Sequence, residues 1–364
     1  MTITDTEAAV ESTTDNEALD AFLGQVASDA AAAFHAATVV LGDKLGLYKA
    51  LADGGPATPA ELAARTGCDA RYLEEWANAQ ITAGYCEYDA ATGRLSLSPA
   101  QATVLTDDTH PAFAAGLISL AAVLFKDEER LIRAAVRDGA GVSWHDHHHD
   151  LFGATERLFK PGYVANLVES WIPALDGVAD KLTAGARVAD IGCGHGASTI
   201  VLAQAFPNST FAGFDYHPES IEVARQRAVE AGVEDRVTFE VASAADFPGD
   251  DYALVCVFDA LHDMGDPVGA AAHIRSTLAA DGVFLIVEPM AGESVVENCN
   301  PIGKLMYSAG LFLCVPHAKA QGGAQQLGPQ VPEATWRSLL ADAGFARFRR
   351  AAETPFNRVF EARP

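Results

Sequence analysis

Val188-Ala189-Asp190-Ile191-Gly192-Cys193-Gly194-His195-Gly196-Ala197-Ser198-Thr199 is the stretch whose reading decides the fold. Val188 and Ile191 give a buried strand its apolar faces. Three glycines at alternate positions then form a turn in which the backbone can approach a ligand without Cβ clashes. From Ala197 to Phe206 the apolar spacing becomes helical, so the turn ends on the free N–H groups of a helix start.

Two cofactor classes use such a turn. Gly192-x-Gly194-x-x-Ala197 satisfies the loose dinucleotide fingerprint, a weak signal by itself. Asp190 argues against it, because a carboxylate two residues before the first glycine would repel a pyrophosphate. The same carboxylate attracts a ligand bearing an ammonium and a sulfonium, and S-adenosylmethionine (SAM) is such a ligand.

The strands that follow carry acids at their tips. Thr210 to Phe214 ends in Asp215, placed to accept both ribose hydroxyls. Val237 to Val241 leads to Ala245-Asp246-Phe247, a carboxylate for the adenine amine beside an aromatic face. Ala253 to Phe258 runs into Asp259-Ala260-Leu261-His262-Asp263. This order resembles the class I SAM-dependent methyltransferases over about residues 180–364. The resemblance implies an α/β fold with a doubly wound, Rossmann-like sheet in the C-terminal half. It implies cofactor contacts from Asp190, Gly192, Gly194, Gly196, Asp215, Tyr216, Asp246, Phe247 and Phe258. Residues 184–364 are therefore expected to form the catalytic domain, with 289–331 inserted as a lid over the substrate.

At 364 residues the chain is long enough for two domains with their own cores. A net charge of −24 disfavours nucleic acid and an anionic membrane surface as partners. The six cysteines show no C-x-x-C spacing, which suits reduced thiols in a cytoplasm. Neither a membrane-length apolar run nor a signal peptide is recognisable, so a soluble cytoplasmic protein is expected.

Residues 1–16, acidic and without Lys or Arg, read as a disordered tail. A helix is expected from about Ala18 to Val40. Residues 44–105 resemble a winged helix-turn-helix. Thr58-Pro59-Ala60-Glu61 starts one helix, Asp69 caps a second through about Thr82, and two short strands around 85–88 and 94–97 form the wing. The second helix carries Asp69, Glu74 and Glu75 against Arg71 alone, the wrong balance for reading DNA. Residues 17–105 are expected to be a winged-helix domain, and the resemblance to small-molecule methyltransferases, in which this module serves dimerisation, implies that it dimerises the chain.

Residues 106–183 read as all-helical and as the substrate or linker region. Pro111 to Phe125 forms one helix and Lys126 to Arg137 continues it. Trp144-His145-Asp146-His147-His148-His149-Asp150 reads as a solvated polar loop, with His145 the member to watch beside Trp144. The C-terminal elements are expected to be a helix from Asp266 to about Ala280, a strand Val283 to Val287 with Glu288-Pro289 at its tip, and a final antiparallel strand pair.

The chemistry is expected at His262 and Asp263. In plant-type O-methyltransferases, which the winged-helix arrangement resembles, a histidine at this place is the general base. The run Phe258 to Pro267, with Asn300-Pro301-Ile302-Gly303 and Cys314-Val315-Pro316-His317, more closely resembles bacterial enzymes that methylate C3 of 2-oxo acids, the phenylpyruvate type, which hold a non-haem iron. That resemblance implies His262 and His317 as ligands to iron or zinc, and Asp263 assisting deprotonation of a metal-chelated 2-oxo acid. Metal-free O-methylation with His262 as base is the alternative. Arg130, Arg133 and Arg157 are candidates to hold a substrate carboxylate. A SAM-binding regulator that kept its winged helix for DNA is a reading from a different class, and the intact His262-Asp263 pair counts against it.

Overall fold

The computed structural model describes the backbone of residues 3–137, 139–323 and 325–364, and the side chains of 16–133, 139–323 and 325–364. The chain divides into two compact units, Met1–Asp107 and Asp108–Pro364. The helical segment after residue 107 therefore clusters with the sheet rather than standing apart.

The first unit holds α1 (Ile3–Lys44), α2 (Leu47–Gly54), α3 (Pro59–Thr66), α4 (Ala70–Thr82), strands β1 (Glu87–Asp89) and β2 (Arg94–Ser96), and α5 (Pro99–Thr106). Helix α1 is longer than the expected Ala18–Val40 span, and its backbone includes residues 3–16, where a disordered tail was expected. The local signals act as the sequence suggests. Thr58 and Glu61 form a reciprocal capping box at α3, and Asp69 accepts the N–H groups of Arg71 and Tyr72 at α4. Buried Gln80 ties the unit together, accepting from the Tyr48 hydroxyl at 2.7 Å and donating to Thr38 at 2.9 Å. Trp76 donates to the Thr38 carbonyl and lies against Gly42, where a Cβ would come within 2.7 Å of the indole.

The second unit begins with α6 (Ala115–Leu124), α7 (Glu128–Arg137), α8 (Asp150–Asn166) with a π-helical turn to Trp171, and α9 (Val178–Ala184). The sheet unit follows as β3 (Arg187–Ile191), α10 (Ala197–Ala205), β4 (Thr210–Asp215), α11 (Pro218–Glu230), β5 (Val237–Val241), β6 (Tyr252–Phe258), α12 (Pro267–Thr277) and β7 (Leu278–Pro289). Then come α13 (Pro301–Phe312), α14 (Cys314–Ala320), α15 (Glu333–Asp342), β8 (Arg347–Glu353) and β9 (Asn357–Arg363). The strand order is β5-β4-β3-β6-β7-β9-β8. The first five strands in this order are parallel; β9 runs antiparallel to both β7 and β8. The expected α/β doubly wound sheet with a terminal antiparallel pair is what the chain forms.

Two boundaries differ from expectation. Helix α12 stops at Thr277, and β7 starts at Leu278 because Tyr252 pairs with Leu278 before a register shift leads into the Leu254–Val283 pairing. The expected lid contains two helices, α13 and α14.

Side-chain alternation along the strands builds one core on each face of the sheet. Leu254, Cys256 and Phe258 of β6 pack with Trp171, Leu202 and Ile221 on one face. Val255 and Val257 pack with Ile274, Trp336 and Leu340 on the other. The glycine turn is wedged into this packing. Gly196 sits at φ 77°, and a Cβ there would lie 2.5 Å from the Phe239 ring. Gly196→Ala should therefore destabilise the chain by about 2–4 kcal/mol, combining a left-handed backbone with overpacking. Urea denaturation measures this, and an unchanged midpoint would mean the turn has slack that the packing does not show.

Candidate active site

Strand order reverses between β3 and β6, so the segments leaving their carboxyl ends, 192–196 and 259–263, flank one crevice, the place where open α/β sheets bind ligands. The glycine turn is held from below. Gly192 and Cys193 both donate their N–H to the Phe214 carbonyl, Gly196 donates to Cys193, and Gly194 donates to Asp215 Oδ2 at 2.9 Å. Asp215 Oδ1 accepts the His217 N–H, so both carboxylate oxygens are oriented by backbone and keep lone pairs for a further donor. Nothing lies within 4 Å of a Cβ built on Gly194, so the turn opens onto free space there.

Asp190 is 1% exposed. Its Oδ2 accepts the Ser198 and Thr199 hydroxyls at 2.6 Å each, which binds the start of α10 to the strand. Its Oδ1 is buried with no partner among the described residues. Burial pushes the Asp190 carboxyl up to about 6 against the opposing pull of those two hydroxyls.

The adenine-side residues are arranged differently from expectation. Asp246 is exposed and its carboxylate closes a local turn by accepting from Ser243 N and Oγ. Phe247 is buried beside Phe214 and His273, so its ring packs the core and offers no open face to adenine. Phe258 is likewise buried against Tyr163 and Trp171.

His262 occupies a 3-10 turn, Leu261–Asp263, at the tip of β6. Its Nδ1 lies 2.5 Å from Glu288 Oε2, and its N–H donates to the other Glu288 oxygen at 3.3 Å. Glu288 is fully buried at the end of β7. Parallel pairing of β6 with β7 brings the two tips together, Phe258 beside Val287. His262 Nε2 lies 3.0 Å from Asp263 Oδ1, an ion-pair contact off the line of a hydrogen bond, since that oxygen has no hydrogen-bond partner among the described residues. Burial works against a charged imidazole, but Asp263 and Glu288 outweigh it and hold the His262 pKa well above its ordinary value. Burial would also raise Asp263, yet the His262 imidazolium keeps it below the usual carboxylate range. Asp259 precedes this turn at φ 49°, with its carboxylate held by Asn357 at 2.9 Å, and burial followed by the Glu288 charge raises its pKa.

Among the described residues, the donors that gather within 4.8 Å here are His262, Asp263 and Cys314; His317 is not among them. Burial pushes the Cys314 thiol up to about 12, which keeps it neutral. His317 is buried on α14, and both its nitrogens have protein neighbours. The Gly265 N–H fixes Gln321 Oε1 at 2.9 Å, which turns the Gln321 amide nitrogen toward His317 Nε2 at 2.7 Å. The Tyr216 hydroxyl lies 3.3 Å from Nδ1, and the two rings stack. His317, expected as the second ligand beside His262, thus has both nitrogens against protein groups in the ligand-free chain.

The histidine run also corrects the reading of a solvated loop. His145 is exposed, whereas His147 is the buried member, with Nδ1 2.9 Å from buried Asp127. Arg130 pairs with Asp127, Arg133 with Glu129, and Arg157 stacks over Phe113, so each of the three arginines expected as carboxylate holders has a protein partner.

Comparison with known proteins gives these features a family. Residues 182–341 match the family described as Methyltransferase domain, and residues 33–107 match the Rv2258c-like winged HTH domain. Residues 182–341 are a methyltransferase domain. The chain is 34% identical over 131 residues to the 27-O-demethylrifamycin SV methyltransferase of Amycolatopsis mediterranei (strain S699), covering 34% of this chain and 48% of that one. It is 30% identical over 189 residues to the acetylserotonin O-methyltransferase of Mus musculus, covering 48% of this chain and 43% of that one. It thus spans less than half the length of either curated relative. The solved structure of the mitomycin 7-O-methyltransferase shares the fold at TM-score 0.69, with 20% identity over 97% of this chain and 100% of that one. Human N-acetylserotonin methyltransferase in complex with SAM shares it at TM-score 0.67, with 18% identity over 93% and 96%.

The residues of the methyltransferase domain fit SAM. The open carboxylate oxygen of Asp190 suits a cationic group, the oriented Asp215 suits a diol, and the space above Gly194 leaves room for backbone contact. Sequence reading missed the part that Glu288 plays. The available signal was an acid at the tip of the strand next to the one bearing His262.

A carboxyl whose pKa is raised by folding stabilises the native state below its unfolded value, near 3.9, and that contribution is lost as pH rises through about 6. The loss at neutral pH is on the order of 2–3 kcal/mol. Asp190→Asn should therefore leave the ligand-free melting temperature at pH 7.5 unchanged or higher, and flatten its dependence between about pH 4 and 7. SAM binding should weaken at least about tenfold through loss of the charge. Calorimetry showing full SAM affinity would mean that Asp190 serves the helix start alone.

Proposed function

We propose that this methyltransferase transfers the methyl group of SAM to an oxygen of a small-molecule acceptor, with His262 accepting the hydroxyl proton. One observation carries the reading: Glu288 fixes His262 Nδ1 at 2.5 Å, which leaves Nε2 as the ring's working nitrogen at the strand tip beside Asp263. The matched relatives, O-methyltransferases among them, support it. SAM supplies an electrophilic methyl on a positively charged sulfur. Glu288 orients the ring, and Glu288 and Asp263 together stabilise the imidazolium that forms when the proton arrives. Because those carboxylates also favour the charged ring at rest, turnover should rise with pH.

Metal-assisted C3 methylation of a 2-oxo acid is the second reading. The observation in its favour is the His262–Asp263–Cys314 group, which offers nitrogen, oxygen and sulfur donors within 4.8 Å. Against it stand the neutral Cys314 thiol and the engaged nitrogens of His317.

One experiment separates the two. The purified chain is assayed for metal content and for release of S-adenosylhomocysteine (SAH) from phenols and 2-oxo acids, with and without a strong chelator. We expect chelation to leave turnover intact, the product to carry its methyl on oxygen, and His262→Asn to lose about 10²–10⁴-fold in rate while still binding SAH. About one iron or zinc per chain, loss of turnover on chelation and a methyl on C3 would replace this reading with the second.

We also infer that the chain pairs with a second copy of itself through α1. Leu19, Phe22, Leu23, Val26, Phe34 and Leu41 are exposed at helical spacing, an apolar stripe that the other described residues of the first unit leave uncovered. On α4, Arg71 pairs with Glu75 at 2.8 Å and Glu74 at 3.8 Å, which supports an assembly role for the winged helix over DNA reading. Light scattering should give a dimer, and Phe22→Glu with Val26→Glu should shift it toward monomer. A monomeric wild type would refute the pairing.

A further inference from the structure

His195, between Gly194 and Gly196, sends its side chain out of the glycine turn, and its Nδ1 lies 2.9 Å from Glu156 Oε2 on α8. The same oxygen receives Arg227 of α11 at 2.7 Å. The Glu156 carboxylate is 7% exposed. Arg227 reaches it through Nη2, and its Nε is buried with no hydrogen-bond partner among the described residues. One buried carboxylate therefore joins three elements: the helix that packs beside α10, the cofactor turn, and the helix that follows the ribose acid Asp215. The other bonds of the turn given among the described residues, with Phe214, Asp215, Cys193 and Ile200, lie within the turn, the β4 tip and the start of α10. They set the shape of the turn but do not tie it to α8.

We propose that Glu156 is a positioning residue for the cofactor, holding the glycine turn through His195 in the conformation that binds SAM and SAH. The proposal rests on the reading of this turn as the SAM site. In the ligand-free chain, the two left-handed glycines on either side of His195 (φ 52° and 77°) leave the turn free to relax once its side-chain anchor is gone. A buried carboxylate stripped of its imidazole partner, or an arginine stripped of its carboxylate, would then draw the turn or α11 toward water. The cost would appear as ordering that SAM must restore on binding.

The test uses the full chain and SAH as the probe. Glu156→Ala and His195→Ala should each raise the SAH dissociation constant at least about tenfold by calorimetry. His195→Gln keeps an N–H donor for Glu156 and should stay within about threefold of wild type. Hydrogen exchange at the Gly194–Gly196 amides should quicken in the two alanine variants and not in His195→Gln. Should Glu156→Ala fail to fold, the His195→Ala and His195→Gln pair carries the test alone. SAH affinity within about twofold of wild type in both alanine variants, whatever their melting temperatures, would overturn the proposal. So would equal weakening in His195→Ala and His195→Gln. Asp215→Ala is the control: if it too binds SAH normally, the cofactor site itself is misplaced, a failure distinct from that of Glu156.

Discussion

The pairing of β3 with β6 is the constraint from which the site follows. Val188, Ala189 and Asp190 lie beside Leu254, Val255 and Cys256 in parallel, at the centre of the sheet. Chain order runs outward to β4 and β5 on one side and to β7 on the other. At such a reversal of strand order open α/β sheets bind their ligands, here between the glycine turn and the His262 turn. Gly192 marks how close the two approach: a Cβ there would lie 3.1 Å from that of Ala260.

Acid concentrates at these strand ends, buried at Asp190 and Glu288 and half-buried at Asp215, Asp259 and Asp263. Asp190 and Asp215 stand on the β3–β4 side, and Asp259, Asp263 and Glu288 stand on the β6–β7 side, with His262 in contact with two of them. Burial alone raises carboxyl pKa values, and it does so for Asp190, Asp215 and Asp259. A fold that keeps unpaired carboxylates out of water gives up stability at neutral pH, and a cationic ligand recovers it on binding. Local disagreement between stability and charge is expected where function lies. In the first unit Gln80, Tyr48 and Thr38 satisfy one another, while His35 Nε2 is buried without a hydrogen-bond partner among the described residues.

Much of this was legible in the chain. The glycine turn, the acids at successive strand tips, the capping box at Thr58 and the Asp69 cap are local signals, each depending on neighbours within a few residues. Where reading failed, the deciding partner was distant in sequence. Phe247 follows a strand and sits near a turn, so it read as an open aromatic face; Phe214 and His273 bury it. In the Trp144–Asp150 run the sequence singles out His145, for its place beside Trp144; it is exposed, and Asp127, twenty residues from His147, holds His147 as the buried one. His317 was expected as a ligand through the resemblance to the 2-oxo acid C3-methyltransferases; in the ligand-free chain Gln321 and Tyr216 lie against its nitrogens.

The sequence by itself determined the α/β class, the winged helix, the cofactor turn and the placing of His262 at a strand end. Hydrophobic period, glycine spacing and helix caps act over one or two turns of chain, and those are written in order along it. Tertiary structure alone decided what His262 is. Its partner Glu288 lies 26 residues on, in contact with it because β6 and β7 run parallel with their tips in register. A titratable group takes its charge from what surrounds it in space, and at low dielectric a carboxylate at 2.5 Å outweighs anything the neighbouring sequence can specify.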